Sequence, residues 1–294
     1  MSRCIGVSLL RRAADWIARW PQPRLLRFGR VLTFLLWPLL ASRRHVAAMN
    51  IAHCFPELDH RRRARLLRAN LVATVTGALE LARAWHAPPE ALRDLASIEG
   101  IDRLREALGQ GRGVLLFTGH FTHTELATRL LGEALGRPVR VVVRESNDDC
   151  LENWFAAARR KVFGEPIAKK DLRGLLRALQ AGEPVVYSAD QNFNYQHAFV
   201  PFFGVPAATL AIVPQIAERG RAQVLPFWFE RDDTGRYRLR IEATWADWPS
   251  GDPGGDAARY MAELEDVVRR RPEQYLWVHR RFKTRPDGTA SFYQ

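Results

Sequence analysis

The chain has 294 residues, is 47% hydrophobic and 26% charged, and carries a formal net charge of +12. That composition excludes wholesale disorder and collagen-like repeats, and the length suffices for a large core without disulfide or metal staples. The charge is uneven: residues 1–68 hold 14 Lys/Arg against 3 Asp/Glu, and residues 269–285 hold seven against one. Basic ends point to an anionic partner (nucleic acid, an anionic membrane or an acidic protein), with plain solubility as the alternative. Three scattered cysteines, Cys4, Cys54 and Cys150, form no CxxC and fit a reducing compartment.

Residues 5–20 place Leu9, Leu10, Ala13, Trp16, Ile17 and Trp20 on one helical face and Arg11, Arg12, Asp15 and Arg19 on the other. Pro21 and Pro23 end this helix, and a more apolar segment follows at 24–41. The basic, interrupted start and the lack of a small-residue cleavage site argue against a signal peptide. The longest uncharged apolar run, residues 31–42, would span about 18 Å as a helix, short of the ~30 Å hydrocarbon core. Residues 1–42 therefore read as membrane-associating helices lying in the interface, or else as ordinary core helices. Residues 43–97 read as a helical region, broken by CFPELDH at 54–60. The run RRRARLLR at 61–68 suits a solvated face or a lipid-headgroup face equally well.

From residue 98 to 294 the pattern becomes α/β. Strands are expected at 113–119, 137–144, 183–189, 222–230 and 236–243, with the turn DDTG joining the last two. Helices are expected at 123–135, 148–163, 171–181, 209–219 and 256–270. The alternation predicts a mostly parallel, mixed sheet flanked by helices, with one antiparallel pair.

No P-loop, GxGxxG after a strand, HExxH or GxSxG occurs, which disfavours NTPases, zincins and serine hydrolases. The informative feature is TGHFTHTEL at 118–126, where a buried strand gives way to His120, His123 and Glu125. Ligands of open α/β sheets sit at the carboxyl ends of strands. A Glu125 carboxylate reaching back to the His120 ring would fix its tautomer and leave the other nitrogen as a general base. The alternatives are a hydrogen-bonded structural histidine, a metal site from His120, His123 and Glu125, and helix capping by Thr122 and Thr124. SADQN at 188–192 also leaves a strand. FVPFFG at 199–204 reads as an apolar patch for an acyl chain or membrane, or as a core-lining loop. The stretch 273–288 mixes aromatics with cations as nucleic-acid binders do, but shows no recognition module.

In order, His120-x4-Glu125, Arg144 at a strand end, Asp190-Gln191, FVPFFGVPAAT (199–209) and QYLWVHRRFKTRP (274–286) resemble the late acyltransferases of lipid A biosynthesis, within the lysophospholipid acyltransferase superfamily. Asn50 with CFPEL (54–58) and Glu80 in a helix fit the same likeness, which covers nearly the whole chain. The resemblance implies a glycerolipid acyltransferase-like fold on the cytoplasmic face of an inner membrane. It implies acyl transfer from acyl carrier protein, or less often acyl-CoA, to a hydroxyl of a lipid A precursor, with no metal, no cofactor, no acyl-enzyme and no nucleic acid. His120 maps to the base and Glu125 to its partner. Arg144, Asp190, Gln191, Phe203, Gly204, Thr209, Arg280 and Arg281 map to substrate contacts, and Phe199 and Phe202 to the acyl or lipid side. Asn192 stands where an acid is common in that family, and the amino-terminal anchor is weaker than a full transmembrane helix. The same chemistry on a lysophospholipid or another glycolipid is the alternative, and a non-catalytic basic adaptor the remote one.

Overall fold

The structure, a computed structural model, describes residues 5–286 and 289–293. Two helices open the chain, α1 (Ile5–Ile17) and α2 (Gln22–Leu35), separated by Pro21. Their buried side is narrow: Ala14, Ala18, Trp20 and Leu25 face the protein. Leu9, Leu10 and Trp16 of α1, then Phe28, Val31, Phe34 and Leu35 of α2 and Leu39 beyond it, are exposed. Of the apolar stripe read over residues 5–20, Leu9, Leu10 and Trp16 thus face outward, while Trp20 is buried. No helix among the described residues is long and apolar enough to cross a membrane.

Next come α3 (Ala41–Cys54) and the long α4 (His60–His86), with the connector between them as expected. Asp59 caps α4 by accepting from the Arg62 N–H. The arginine run divides its labour. Arg61, Arg62, Arg65 and Arg68 are exposed, while Arg63 donates to the Phe55 and Pro56 carbonyls of the connector. Helix α4 packs on α1, α2 and α3 and on two later helices, so it works as a strut.

The α/β region runs β1 (Ala96–Glu99), α5 (Ile101–Gly109), β2 (Val114–Thr118), α6 (Thr124–Leu135), β3 (Arg140–Val143), α7 (Asp149–Phe163), β4 (Ile167–Ala168), α8 (Leu172–Gln180) and β5 (Pro184–Ser188). It continues with β6 (His197–Phe202), β7 (Val205–Leu210), α9 (Val213–Gly220), β8 (Gln223–Arg231), β9 (Tyr237–Ile241) and α10 (Pro253–Arg270). Seven strands form one sheet in the order β1-β9-β8-β2-β5-β3-β4. All neighbours are parallel except β8 and β9, the expected antiparallel pair. Central β2 is buried at every residue, as its unbroken apolar run requires of a parallel strand covered on both faces.

Several elements differ from expectation. The short strands β1 and β4 carry too few residues for a pattern, and β1 straddles the expected division at 97/98. FVPFFG is neither a loop nor a surface patch: β6 and β7 pair as an antiparallel hairpin. Phe203 (φ 52) and Gly204 (φ 72) make its two-residue turn in the left-handed region that primed hairpin turns need. Phe202 and Phe203 are buried, and only Phe199 of the three faces solvent. The helix expected from 209 starts at Val213 because Thr209 and Leu210 belong to β7.

Glu80 ties α4 to the sheet. Its buried carboxylate pairs with Arg231 on β8 and accepts from the Tyr237 hydroxyl on β9 and from Gln22 Nε2 on α2. Removing one partner of a buried pair typically costs about 3–5 kcal/mol, because the other charge is stranded.

Candidate active site

The register of two adjacent strands builds the site. In the β2–β5 ladder Thr118 stands opposite Ser188. Two residues past each lie His120 and Asp190, which therefore emerge side by side at the carboxyl edge of the sheet. Asp190 Oδ1 lies 2.6 Å from His120 Nδ1, and Oδ2 accepts from the His120 backbone N–H at 2.9 Å and from the Tyr275 hydroxyl at 2.8 Å. Burial alone would raise the Asp190 pKa. The His120 ring, both His120 hydrogen bonds and Tyr275 outweigh that and hold it at about 2. An ionised carboxylate can only accept, so Nδ1 carries the proton and Nε2 is left with a free lone pair. The His120 side chain remains 31% exposed while that of Asp190 is fully buried.

His120 opens on a cavity of about 480 Å³. Its wall includes Thr124, Glu125, Tyr187 and Gln191, and four cationic side chains: Arg43, Arg144, Arg159 and Lys169. Burial, then the nearby Arg144 charge, lowers the Lys169 pKa. Such a cluster favours an anionic substrate.

A carboxy-terminal strap closes one side. Leu276 N–H donates to the His120 carbonyl, Thr122 N–H donates to the Gln274 carbonyl, and Phe121 bridges Tyr275. Two buried asparagines hold the strap from the helices. Asn50 donates to the Trp277 and His279 carbonyls, and Asn70 to the Glu273 and Tyr275 carbonyls. Gly77 lets α4 reach this loop, since a Cβ there would sit 2.0 Å from the Thr122 carbonyl oxygen.

The expected pairing of His120 with Glu125 is not what the structure shows. Glu125 accepts from Trp85 Nε1 at 2.5 Å and from Arg159 Nη2 at 2.7 Å. Its position in the first turn of α6 aims it at α4 and α7, while the ring of His120 is taken by Asp190. Glu125 still lines the cavity, where it fixes Arg159 against the Trp85 ring. His123 is also apart from His120. It is buried between Phe229 and Tyr237, and burial followed by the Arg231 charge pushes its pKa well below the usual imidazole range. Among the described residues no three His, Cys, Asp or Glu side chains are grouped to hold a metal.

Of the residues expected to contact substrate, Arg144 and Gln191 line the cavity; Phe203, Gly204, Thr209, Arg280 and Arg281 do not. Arg281 is buried and donates to the Ala208 carbonyl and Thr209 Oγ1, locking the β6–β7 hairpin to the strap. Phe203 packs on Phe55 and under Arg269. Arg280 is exposed beside the Tyr293 ring. Sequence reasoning missed Tyr275 as a partner of Asp190, and His279, Arg43, Arg159 and Lys169 as cavity residues. Only the mixture of aromatics and cations at 273–288 hinted at the first two.

A carboxylate-bound histidine beside a cationic cavity, at the carboxyl edge of a parallel sheet, is a layout that can support general-base chemistry. The family of bacterial lipid A biosynthesis acyltransferases matches residues 2–284. The chain is 32% identical over 282 residues to the lipid A biosynthesis palmitoleoyltransferase of Escherichia coli (strain K12), covering 95% of this chain and 90% of that one. It is 31% identical to the lauroyltransferase of the same strain, covering 94% and 91%, and 24% identical to its myristoyltransferase, covering 99% and 89%. The chain belongs to the bacterial lipid A biosynthesis acyltransferases, and is an enzyme that transfers acyl groups.

Proposed function

We propose that this enzyme moves a fatty acyl group from the thioester of acyl carrier protein, or of coenzyme A, to a hydroxyl of a lipid A precursor, directly and without an acyl-enzyme. The observation that carries the reading is the His120–Asp190 pair. With Nδ1–H held by a buried, ionised carboxylate, Nε2 is free to take the acceptor's hydroxyl proton. The alkoxide attacks the thioester carbonyl, the tetrahedral adduct collapses with loss of the C–S bond, and the departing thiolate receives the proton from His120. Among the described residues no cysteine lines the cavity, and its one serine, Ser188, is the last residue of β5 and makes no hydrogen bond to the His120 ring, whose Nδ1 is taken by Asp190. Arg43, Arg144 and Lys169 are placed to hold phosphate groups of the acceptor or of the donor arm.

The exposed apolar residues of α1 and α2, interleaved with Arg11, Arg12, Arg19, Arg24, Arg27 and Arg30, support docking on an anionic lipid surface in the plane of the interface. With an acyl carrier protein donor, that surface would be the cytoplasmic side of the inner membrane. The test is a transfer assay with purified protein, acyl carrier protein thioester and lipid A precursor, read by mass spectrometry. The expected result is a product heavier by one acyl group, and loss of at least about 10³-fold in rate for His120→Ala. A wild-type rate for folded His120→Ala overturns the mechanism. Transfer only to a lysophospholipid or another glycolipid overturns the acceptor.

A further inference from the structure

The mechanism above leaves one charge without a partner: the oxyanion that forms when the thioester carbonyl is attacked. The strap carries a second imidazole into the same cavity. His279 lines it together with His120, and the strap residue Leu276 donates its N–H to the His120 carbonyl at 3.0 Å. His279 is held on several sides. Its carbonyl accepts from Asn50 Nδ2 at 2.8 Å and from the Arg281 N–H at 2.8 Å, and its own N–H donates to the Leu276 carbonyl.

One contact decides its chemistry. The backbone N–H of Asn192 donates to His279 Nε2 at 3.3 Å. A ring nitrogen that accepts an N–H bears no proton, so the neutral ring keeps its single hydrogen on Nδ1. Burial, then the nearby His120, lowers the His279 pKa to about 4, which keeps the ring neutral around pH 7. The two histidines are therefore tautomers of opposite use. In His120, Nδ1–H is consumed by Asp190 and Nε2 is a base. In His279, Nε2 is consumed by Asn192 and Nδ1–H is a donor.

We propose that His279 Nδ1–H stabilises the thioester oxyanion, making His279 a second catalytic residue of the acyl transfer. As the acceptor oxygen bonds to the carbonyl carbon, the C=O π electrons move onto oxygen, which accepts from Nδ1–H. They return when the C–S bond breaks, and His279 ends the cycle with its proton. A neutral donor suits this task because it needs no proton of its own to be replaced, and a preorganised donor costs no reorganisation when the charge appears.

The inference rests on the reaction proposed above, so the test includes a control that separates the two. An asparagine places its amide nitrogen near the position of a histidine Nδ1, and a glutamine places its amide oxygen near that of Nε2. His279→Asn therefore keeps the donor, and His279→Gln keeps the tie to Asn192. In the transfer assay we expect His279→Gln to lose about 10²-fold in kcat with KM within about twofold, and His279→Asn to retain at least tenfold more kcat than His279→Gln. His279→Gln matching or exceeding His279→Asn would show that only the tie matters, and overturns the proposal. If His120→Ala were also fully active, the base mechanism itself would have failed. In long-range proton–nitrogen spectra of the ¹⁵N-histidine-labelled protein, the ring signal that disappears in His279→Gln should be a neutral ring protonated at Nδ1 with Nε2 unprotonated. A protonated Nε2 at His279 overturns the proposal.

Discussion

At the carboxyl edge of the sheet the two carboxylates of the site are largely buried and fully engaged. Asp190 takes three hydrogen bonds, and Glu125 takes Arg159 and Trp85. In α1 and α2 the economy is reversed: Leu10, Trp16, Phe34 and Leu35 are exposed, and the helices touch the protein along a narrow strip that includes Ala14 and Leu25. The first region has one well-defined geometry and suits chemistry. The second has apolar area and loose cations, and suits a surface that need not match it atom by atom. Damage to the first should therefore lower turnover in any medium, and damage to the second should matter only where lipid is present.

The largest effect should come from Asp190→Asn. An amide in place of the carboxylate removes the anion that fixes the Nδ1–H tautomer, and kcat should fall roughly 10³-fold with folding retained. Glu125→Gln should cost less in rate, about tenfold, and more in stability, about 3 kcal/mol by urea unfolding, since it strands the nearly buried Arg159. A Glu125→Gln rate as low as that of Asp190→Asn would erase the distinction between the two carboxylates.

A smaller effect tests the other region. Leu10→Asp with Trp16→Asp should weaken binding to phosphatidylglycerol vesicles at least tenfold by co-sedimentation, with turnover on detergent-dispersed substrate within about twofold. Unchanged vesicle binding would remove α1 from the docking surface.

The smallest effect is on acid stability. Asp190 has its pKa lowered from 3.8 to about 2 on folding. A depressed acid contributes stability that is complete above the unfolded value and lost as pH falls through the folded one. Wild type should thus lose about 2 kcal/mol from this group between roughly pH 4 and pH 2, and Asp190→Asn should lack that component. Parallel acid-unfolding curves for the two proteins would contradict it.

Much of this comparison was legible in the sequence. VLLFT reads as a buried strand because apolar residues are continuous, and the amphipathic 5–20 segment reads from its period. His120 was found because polar residues follow a buried strand. Its partner was misassigned, because Glu125 is near in sequence whereas Asp190 is near only once β2 and β5 are neighbours in register. His120 and Asp190 sit in strand-exit motifs, TGH and SAD, equally spaced from their strands, but strand order is not written in local pattern. The roles of Arg281, Thr209 and Phe203 were misread for the same reason. Aromatic and cationic residues in a strap look alike whether they face a ligand or a hairpin. The outward face of α1 was readable, but what covers a helix is decided by packing rather than by period.

The account turns on His120 and Asp190 acting as one unit, and a double-mutant cycle in the transfer assay tests this most directly. Rates would be measured for His120→Ala, Asp190→Asn and the pair together, each checked for folding. If Asp190 works only through the His120 ring, the double variant will be no slower than His120→Ala alone. If the two losses multiply, Asp190 does something His120 does not need, and the proposed division of labour at the sheet edge is wrong.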